Sequence, residues 1–404
     1  MGSILRVGLV AAGLLALAAC SSGAGSGTPP TASLGGDSGA QSAAYSGPGL
    51  ATLPGNLKRA CPVSLDEYHY SCEALVQTDV AHPLISGLTP ANLQSAYNLP
   101  SSTQGTGQTV AVVDAFDDPN AEADLGVYRS NFGLPACTTA NGCFKKLNER
   151  GQPGPYPAPD AGWATEISLD LDMVSAGCPN CNIMLVEAKT NSLDNLGKSV
   201  DEAVRLGAAV VSNSYSGGGT HGSQYYDHKG VVILASAGDG GYGIGSPAGF
   251  PTVVSVGGTT LKAGSGSRGW IESTWHYTGS GCEKTLAKPK WQTDKGCKGR
   301  TANDVSAVAA DVAAYDTYQT GGWIVLAGTS VSSPLVASIY GLAGNASSQN
   351  AAESLYAPGA SLYDITTGDN GVCTPPNKDA YLCTAEVGYD GPTGNGTPNG
   401  VGAF

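Results

Sequence analysis

The run Gly328-Thr329-Ser330-Val331-Ser332-Ser333-Pro334 leads into Leu335 to Ala343, a small, apolar stretch suited to a buried helix. A serine at a helix start lies among unpaired backbone N–H groups at the positive end of the dipole. A carbonyl oxygen that gains charge would be stabilised there. Ser330 therefore stands where a nucleophile would, although an arbitrary Gly-Thr-Ser triplet more often only caps a helix. A serine hydroxyl also needs a base. His69, His82, His221, His228 and His276 sit in polar or turn-like surroundings without a pairing motif, which gives a histidine triad weak support. Glu166 and Asp170, in Trp163-Ala164-Thr165-Glu166-Ile167-Ser168-Leu169-Asp170, are four residues apart and share one helix face. Two carboxyls so placed repel unless they share a proton, and such a pair can accept one from a hydroxyl. The competing reading is a solvated acidic face. Asp172, two residues on, points elsewhere.

A third element is Ala237-Gly238-Asp239-Gly240-Gly241-Tyr242-Gly243, directly after the apolar run Val231 to Ser236. Its glycine spacing formally matches a dinucleotide fingerprint, but that motif must open a helix. Here Ile244-Gly245-Ser246-Pro247 follows, which breaks one. An aspartate that leaves the carboxyl end of a parallel strand in a glycine loop lies instead at the edge where such sheets carry their sites.

The elements that must hold these residues follow from periodicity. Gln108 to Ala115, Asn182 to Ala188, Ala208 to Ser214, Val231 to Ser236 and Thr252 to Val256 are short apolar runs that read as buried strands. The Asp117-Asp118-Pro119-Asn120 cluster ends the first strand and caps a helix. Ala164 to Ala176 and Ser192 to Leu206 read as helices, the second with Ser192 as N-cap. A further helix starts near Thr89-Pro90. Strands that alternate with helices imply an α/β fold with a mostly parallel central sheet and helices on both faces. Residues 264–301, rich in Gly, Lys and Trp, are expected to form an excursion or hairpin outside that sheet. Ser214-Tyr215-Ser216-Gly217-Gly218 could supply an edge for extended substrate, with Tyr215 as packing the equal alternative.

Taken together, these stretches resemble the sedolisin family of serine-carboxyl peptidases, which have a subtilisin-like fold. The likeness runs from about Thr89 onward through Thr89-Pro90-Ala91-Asn92-Leu93, the Glu166 and Asp170 helix, the Asp239 loop, Ser255-Val256-Gly257-Gly258-Thr259 and Gly328-Thr329-Ser330. The resemblance implies Glu166 as general base for Ser330, Asp170 as its support and Asp239 as a hydrogen-bond donor to the oxyanion. An oxyanion-hole aspartate works only when protonated and Glu166 only when ionised, so activity is expected in acid. A histidine, with an ordinary pKa of about 6.5, would be largely protonated there. The resemblance also implies a C-terminal calcium-binding loop region holding one structural Ca2+ through Asp364, the Ile365 and Gly388 carbonyls and Asp390. Glu386, which stands where the family often has glycine, is a further candidate ligand through its carbonyl or its side chain.

Composition adds the compartment and excludes some classes. Val7 to Ala19 has the length of a signal-peptide core and ends in Leu17-Ala18-Ala19-Cys20, similar to a bacterial lipobox. Ordinary cleavage with Cys20 incidental is the competing reading. The chain has 11 cysteines. Setting Cys20 aside leaves an even set that can pair fully in an oxidising compartment. Local spacing suggests Cys61 with Cys72, Cys137 with Cys143, Cys178 with Cys181, Cys282 with Cys297 and Cys373 with Cys383. Residues 21–56 are Ser, Gly, Ala and Pro rich and read as a flexible tether. Residues 57–88 form a short cysteine-containing segment, either a reduced prodomain remnant or a different device for latency. Residues 89–404 form the peptidase domain. With a net charge of −13 and no basic stripe, nucleic acid is not an expected partner. The expected function is an exported or surface-anchored endopeptidase, monomeric, acting on polypeptide substrates and anchored to the membrane through a lipid on Cys20. The competing readings are a peptide- or envelope-binding lipoprotein that does not cleave, and a tripeptidyl exopeptidase.

Overall fold

The structure, a computed structural model, describes Gly2 and residues 52–64, 66–79, 85–350, 352–373 and 379–404. From residue 52 onward the described residues belong to one compact unit. The signal peptide, Cys20 and most of the tether fall outside the described residues.

In chain order the elements are β1 (Leu57–Arg59), β2 (Ser71–Cys72), β3 (Leu75–Gln77), α1 (Pro90–Ala96), β4 (Thr109–Ala115), α2 (Ala121–Asn131), β5 (Phe144–Asn148) and α3 (Ala161–Gly177). Next come β6 (Asn182–Ala188), α4 (Leu193–Arg205), β7 (Val210–Asn213), β8 (Tyr215–Ser216), β9 (Val232–Ser236) and β10 (Val254–Ala263). They continue with β11 (Trp270–Thr274), β12 (Gly281–Ala287), β13 (Gly299–Ala302), β14 (Val305–Val308), β15 (Val312–Asp316) and β16 (Gly322–Ala327). The last are α5 (Thr329–Ala343), β17 (Leu362–Tyr363) and β18 (Thr397–Pro398).

The central sheet runs β11-β10-β9-β7-β4-β6-β5, with β14 also paired to β10. All its pairings are parallel except that of β11. Although β4 reads as one apolar run, its side chains alternate. Val110 and Val112 join the core under α1, α2, α3 and α5, whereas Ala111, Val113 and Ala115 join the core under α4. Helices on both faces explain why neither face of the strand is polar. Asp114 shares the parity of Val112, so it faces α3.

The helix bounds follow local chemistry. The Asp160 side chain accepts from the Trp163 N–H at 3.0 Å and starts α3, and Ser192 does the same for α4 through the Asn195 N–H at 3.3 Å. From Trp163 to Gly177, α3 is buried on every side, as expected of a helix enclosed within a core rather than laid upon one. It packs closely on α5: a Cβ on Gly177 would meet Ser338 Oγ at 1.8 Å, so only glycine fits there.

Residues 264–301 depart from expectation in part. β12 and β13 do form a separate hairpin, but β11 pairs with β10 and forms the antiparallel edge of the central sheet. The period-2 pattern of β11 alternates exposed and buried residues, a weaker signal than the continuous runs of the parallel strands. Five disulfides join Cys61–Cys72, Cys137–Cys143, Cys178–Cys181, Cys282–Cys297 and Cys373–Cys383, the pairs that spacing suggested.

Candidate active site

The chemistry-bearing residues converge where β4, β7 and β9 end. β4 is flanked by β6 on one side and β7 on the other, so the chain reverses its direction of travel across the sheet there, the usual place for a crevice. Asp114 is the penultimate residue of β4, Ser214 follows β7 and Asp239 follows β9. Above them, α3 presents Glu166 and Asp170, and α5 starts with Thr329 and Ser330.

Glu166, Asp170, Asp239, Ser330 and Asp114 are all fully buried, which excludes a solvated acidic face. Ser214 Oγ donates to Asp170 Oδ1 at 2.7 Å. Glu166 Oε2 accepts the Ala74 N–H at 2.7 Å. Ser330 Oγ lies near the Glu166 carboxyl, close enough for its hydroxyl to favour the ionised form. The pair misses full hydrogen-bond geometry, and among the described residues Ser330 Oγ makes a long 3.5 Å contact to the Ser214 carbonyl. Among the described residues Glu166 Oε1, Asp170 Oδ2 and both Asp114 oxygens have no hydrogen-bond partner.

Burial, and then the charge of Asp114, push Glu166 and Asp170 well above the ordinary carboxyl range; Glu166 further raises Asp170, and Asp239 further raises Glu166. Burial pushes Asp114 up to about 8. Three adjacent buried carboxyls that form no ion pair among the described residues cannot all ionise, so they hold protons jointly.

Asp239 is set for a different task. Its Oδ1 accepts from Thr329 N and Thr329 Oγ1, both at 2.8 Å, while its Oδ2 has no partner. Burial first, and then Glu73, hold its pKa well above normal. A protonated Asp239 therefore offers an O–H donor from Oδ2. Gly328, with φ of +123°, turns the chain into α5 and leaves this oxygen uncovered: a Cβ on Gly328 would lie 2.6 Å from it. Thr329 also takes the Gly238 N–H on its hydroxyl at 3.0 Å, so Thr329 ties the glycine loop to the helix start.

The histidines lie elsewhere. Among the described residues His69, His221, His228 and His276 pair with Asp66, Glu67, Asp201 and Asp369. His82 falls outside the described residues.

A segment of the chain's own crosses this crevice. β2 pairs antiparallel with β8, and β3 pairs antiparallel with the end of β16. The edge proposed for substrate is thus held by Ser71 and Cys72, while Tyr215 itself is buried packing, its hydroxyl on Asn213 Oδ1 at 2.7 Å. Between the two strands, Glu73 is buried. Ser216 Oγ donates to its Oε1, the Asp239 N–H donates to its Oε2 at 3.0 Å, and Arg59 lies 3.8 Å away.

Sequence reasoning missed Asp114, Glu73 and Arg59. Asp114 had a usable signal, an acid near the carboxyl end of a buried strand. Glu73 and Arg59 had none, because their roles depend on a strand pairing that sequence pattern does not encode.

The proposed calcium ligands meet near β17 and β18. The Gly388 N–H donates to Asp364 Oδ2 at 3.0 Å, and Asp390 takes the Glu386 and Thr393 N–H groups at 3.0 and 2.8 Å. Asp364 is near enough for its charge to bear on Asp390. The side chain of Glu386 is exposed and Ile365 is buried. Among the described residues no three His, Cys, Asp or Glu side chains converge as a metal cage. The donor set fits a hard cation only if backbone carbonyls complete two carboxylates.

Comparisons with known proteins bear on the same region. The Subtilase family matches residues 161–357, from α3 past α5. Kumamolisin from Bacillus sp. (strain MN-32) is 26% identical over 357 residues, which cover 78% of this chain and 62% of kumamolisin. The chain thus matches less than two thirds of that relative's length. Sedolisin from Pseudomonas sp. (strain 101) is 24% identical over 439 residues, covering 90% of this chain and 72% of sedolisin. Among solved structures, Pseudomonas sedolisin, a serine-carboxyl proteinase complexed with two molecules of pseudo-iodotyrostatin, matches with a TM-score of 0.66 at 22% identity. That match covers 78% of this chain and 96% of the other. The fold is thus subtilisin-like, with sheet and both helices in place, and the chain is similar in sequence to kumamolisin and sedolisin.

Proposed function

We propose that the chain is a serine-carboxyl endopeptidase that hydrolyses polypeptides in acid through an acyl-enzyme on Ser330. The observation that carries this reading is the fully buried set of Glu166, Asp170 and Asp239 around Ser330, with open oxygens on Glu166 and Asp239. Ionised Glu166 takes the Ser330 proton as Oγ attacks the carbonyl, and returns it to the leaving nitrogen. Asp170, held by Ser214, and Asp114 keep a second proton next to Glu166 and limit the cost of its charge changes. Protonated Asp239 donates Oδ2–H to the oxyanion. A continuous strand of the chain passes the serine on both sides, so the crevice accommodates internal positions of a polypeptide, which favours endopeptidase over exopeptidase action.

Five disulfides suit an oxidising compartment and support export. The signal peptide and a lipid on Cys20 belong to this proposal. Among the described residues no helix is long and apolar enough to cross a membrane. Asp364, Asp390 and the Ile365 and Gly388 carbonyls would hold one structural Ca2+ that ties β17 to the following loop. Chelation should then lower the melting temperature, and an unchanged melting temperature would remove the ion from this account. Activity is tested with a quenched fluorescent peptide library scanned across pH. Turnover confined to acid and lost in Ser330→Ala is the expected result, and undiminished turnover in that variant would refute the nucleophile.

A further inference from the structure

We infer that the open pocket at the carboxyl ends of β5 and β6 is an accessory site for an aromatic residue of a polypeptide, with the ring between its apolar walls and the residue's carbonyl oxygen on Glu187. That this polypeptide is substrate rests on the peptidase reading above; the binding itself does not.

The pocket has a volume of about 460 Å³, a size that suits a small organic group. Phe116, Pro155, Tyr156, Pro157 and Ala158 give it apolar walls, and Glu187 also lines it. None of Ser330, Glu166, Asp170 or Asp239 does, so it is separate from the crevice.

Its walls are held in place without a ligand. Phe116 has φ of +63°, a left-handed conformation that a bulky residue rarely adopts. Its N–H is fixed on the Ala188 carbonyl at 2.9 Å. Backbone held so far from its preference persists where the surroundings impose it, and such positions gather at binding sites. The Tyr156 hydroxyl donates to the Lys146 carbonyl at 3.1 Å, and Lys146 Nζ lies 4.5 Å from the centre of the Tyr156 ring. Asn148 Nδ2 donates to the Gly154 and Pro155 carbonyls at 3.2 and 3.1 Å, and the Asp117 N–H donates to the Ala158 carbonyl at 3.2 Å. A wall that is already ordered loses little entropy when a ligand arrives.

The polar group of the pocket is incomplete. Glu187 is fully buried, and its Oε1 takes the Asp118 N–H at 3.1 Å and Lys146 Nζ at 3.2 Å. Its Oε2 is buried with no partner among the described residues. Lys146 also serves Asp117 Oδ1 and the Asp118 carbonyl, both at 2.5 Å, so one cation is divided between two acids. Burial raises Glu187 to about 9 against the opposing pull of Lys146, so in acid the carboxyl keeps its proton. Oε1 already accepts two hydrogen bonds, which leaves the proton on Oε2.

A buried O–H without an acceptor is costly, and a ligand that brings an acceptor removes that cost. An ammonium or guanidinium would have to displace the proton, and a carboxylate would have to bury its own charge among apolar walls. An uncharged carbonyl meets neither penalty. The Phe116 ring and the proline faces suit a flat apolar body beside that carbonyl. An aromatic residue within a peptide chain carries both parts.

The pocket also adjoins the catalytic helix. The wall at 155–158 leads into α3, which carries Glu166 and Asp170, and the Phe116 ring lies 6.3 Å from that of Trp163 on the same helix. A polypeptide held by one aromatic residue here is kept beside the crevice while another stretch of it is cut.

The test measures binding without turnover, with the full chain carrying Ser330→Ala, in acid, by ligand-observed NMR with N-acetylphenylalaninamide. The expected result is saturable binding with a Kd of about 1 mM, and none by N-acetylglycinamide, which lacks the ring. Ala158→Trp, at an exposed position, fills the pocket and should weaken binding by at least about tenfold. Glu187→Gln, which retains a donor, should preserve binding, and Glu187→Leu should abolish it. No saturation at about twenty times the expected Kd, or binding that Ala158→Trp leaves intact, overturns the site. In the active chain, Ala158→Trp should raise KM for denatured protein roughly threefold or more, with kcat unchanged and a short fluorescent peptide cleaved as before. An unchanged KM overturns substrate as the occupant. A wild-type chain without turnover at any pH overturns the peptidase reading, and the binding to Ser330→Ala still decides the pocket.

Discussion

Asp304 and Asp170 are equally inaccessible to water, yet the fold treats them in opposite ways. Asp304 forms a buried ion pair with Arg300. Its Oδ1 also accepts from Tyr356 at 2.7 Å, and its Oδ2 accepts from the Ser255 N–H at 2.8 Å. Burial alone would weaken the Arg300 charge, and Asp304 more than offsets it. Around Asp170 no such pairing exists among the described residues: Asp114, Glu166 and Asp170 all retain oxygens without partners. A buried acid compensated by a cation and hydrogen-bond donors serves as scaffold. Uncompensated acids packed together keep protons that can move, which is what chemistry requires.

Substitution should separate the two regions. Glu166→Gln removes the base and should lower kcat by roughly 10⁴-fold while leaving the protein folded. Arg300→Met leaves Asp304 buried without its cation and should cost about 3–5 kcal/mol of stability in urea denaturation. If the two variants exchanged phenotypes, the distinction would fail. Asp239→Ala should lower kcat by roughly 10²–10³-fold. Asp239→Asn, which retains a donor that does not titrate, should keep more activity and extend it toward neutral pH.

The smallest effect concerns stability against pH. Burial raises Asp114 from 3.8 to about 8 and Asp118 to about 7. A carboxyl that holds its proton more tightly when folded adds stability that is complete below about pH 4 and lost as pH rises through 7 to 8. The melting temperature should therefore fall across that window, and Asp114→Asn should flatten part of the fall. A melting temperature that rises from pH 4 to 8 would contradict the uncompensated cluster.

Much of this was legible in the sequence. Apolar runs located the parallel strands within a residue or two over Asn182–Ala188 and Val232–Ser236, and the four-residue spacing of Glu166 and Asp170 put them on one face. Their burial was not legible, because a helix carrying Glu166, Asp170 and Asp172 reads as amphipathic until α5 and the sheet enclose it. Asp114 was hidden within a strand read only for its hydrophobicity. The passage of Tyr70 to Gln77 through the crevice arises from pairings distant in sequence, such as Leu75 with Ala327, which local pattern does not specify.

The most direct test of the central claim is the pH–rate profile of peptide hydrolysis for the wild type and Glu166→Gln. The account predicts a wild-type optimum in acid, with activity falling as Asp239 loses its proton, and no measurable limb in the variant. A wild-type optimum at neutral pH, or a variant with the profile intact, would contradict a serine activated by buried carboxyls.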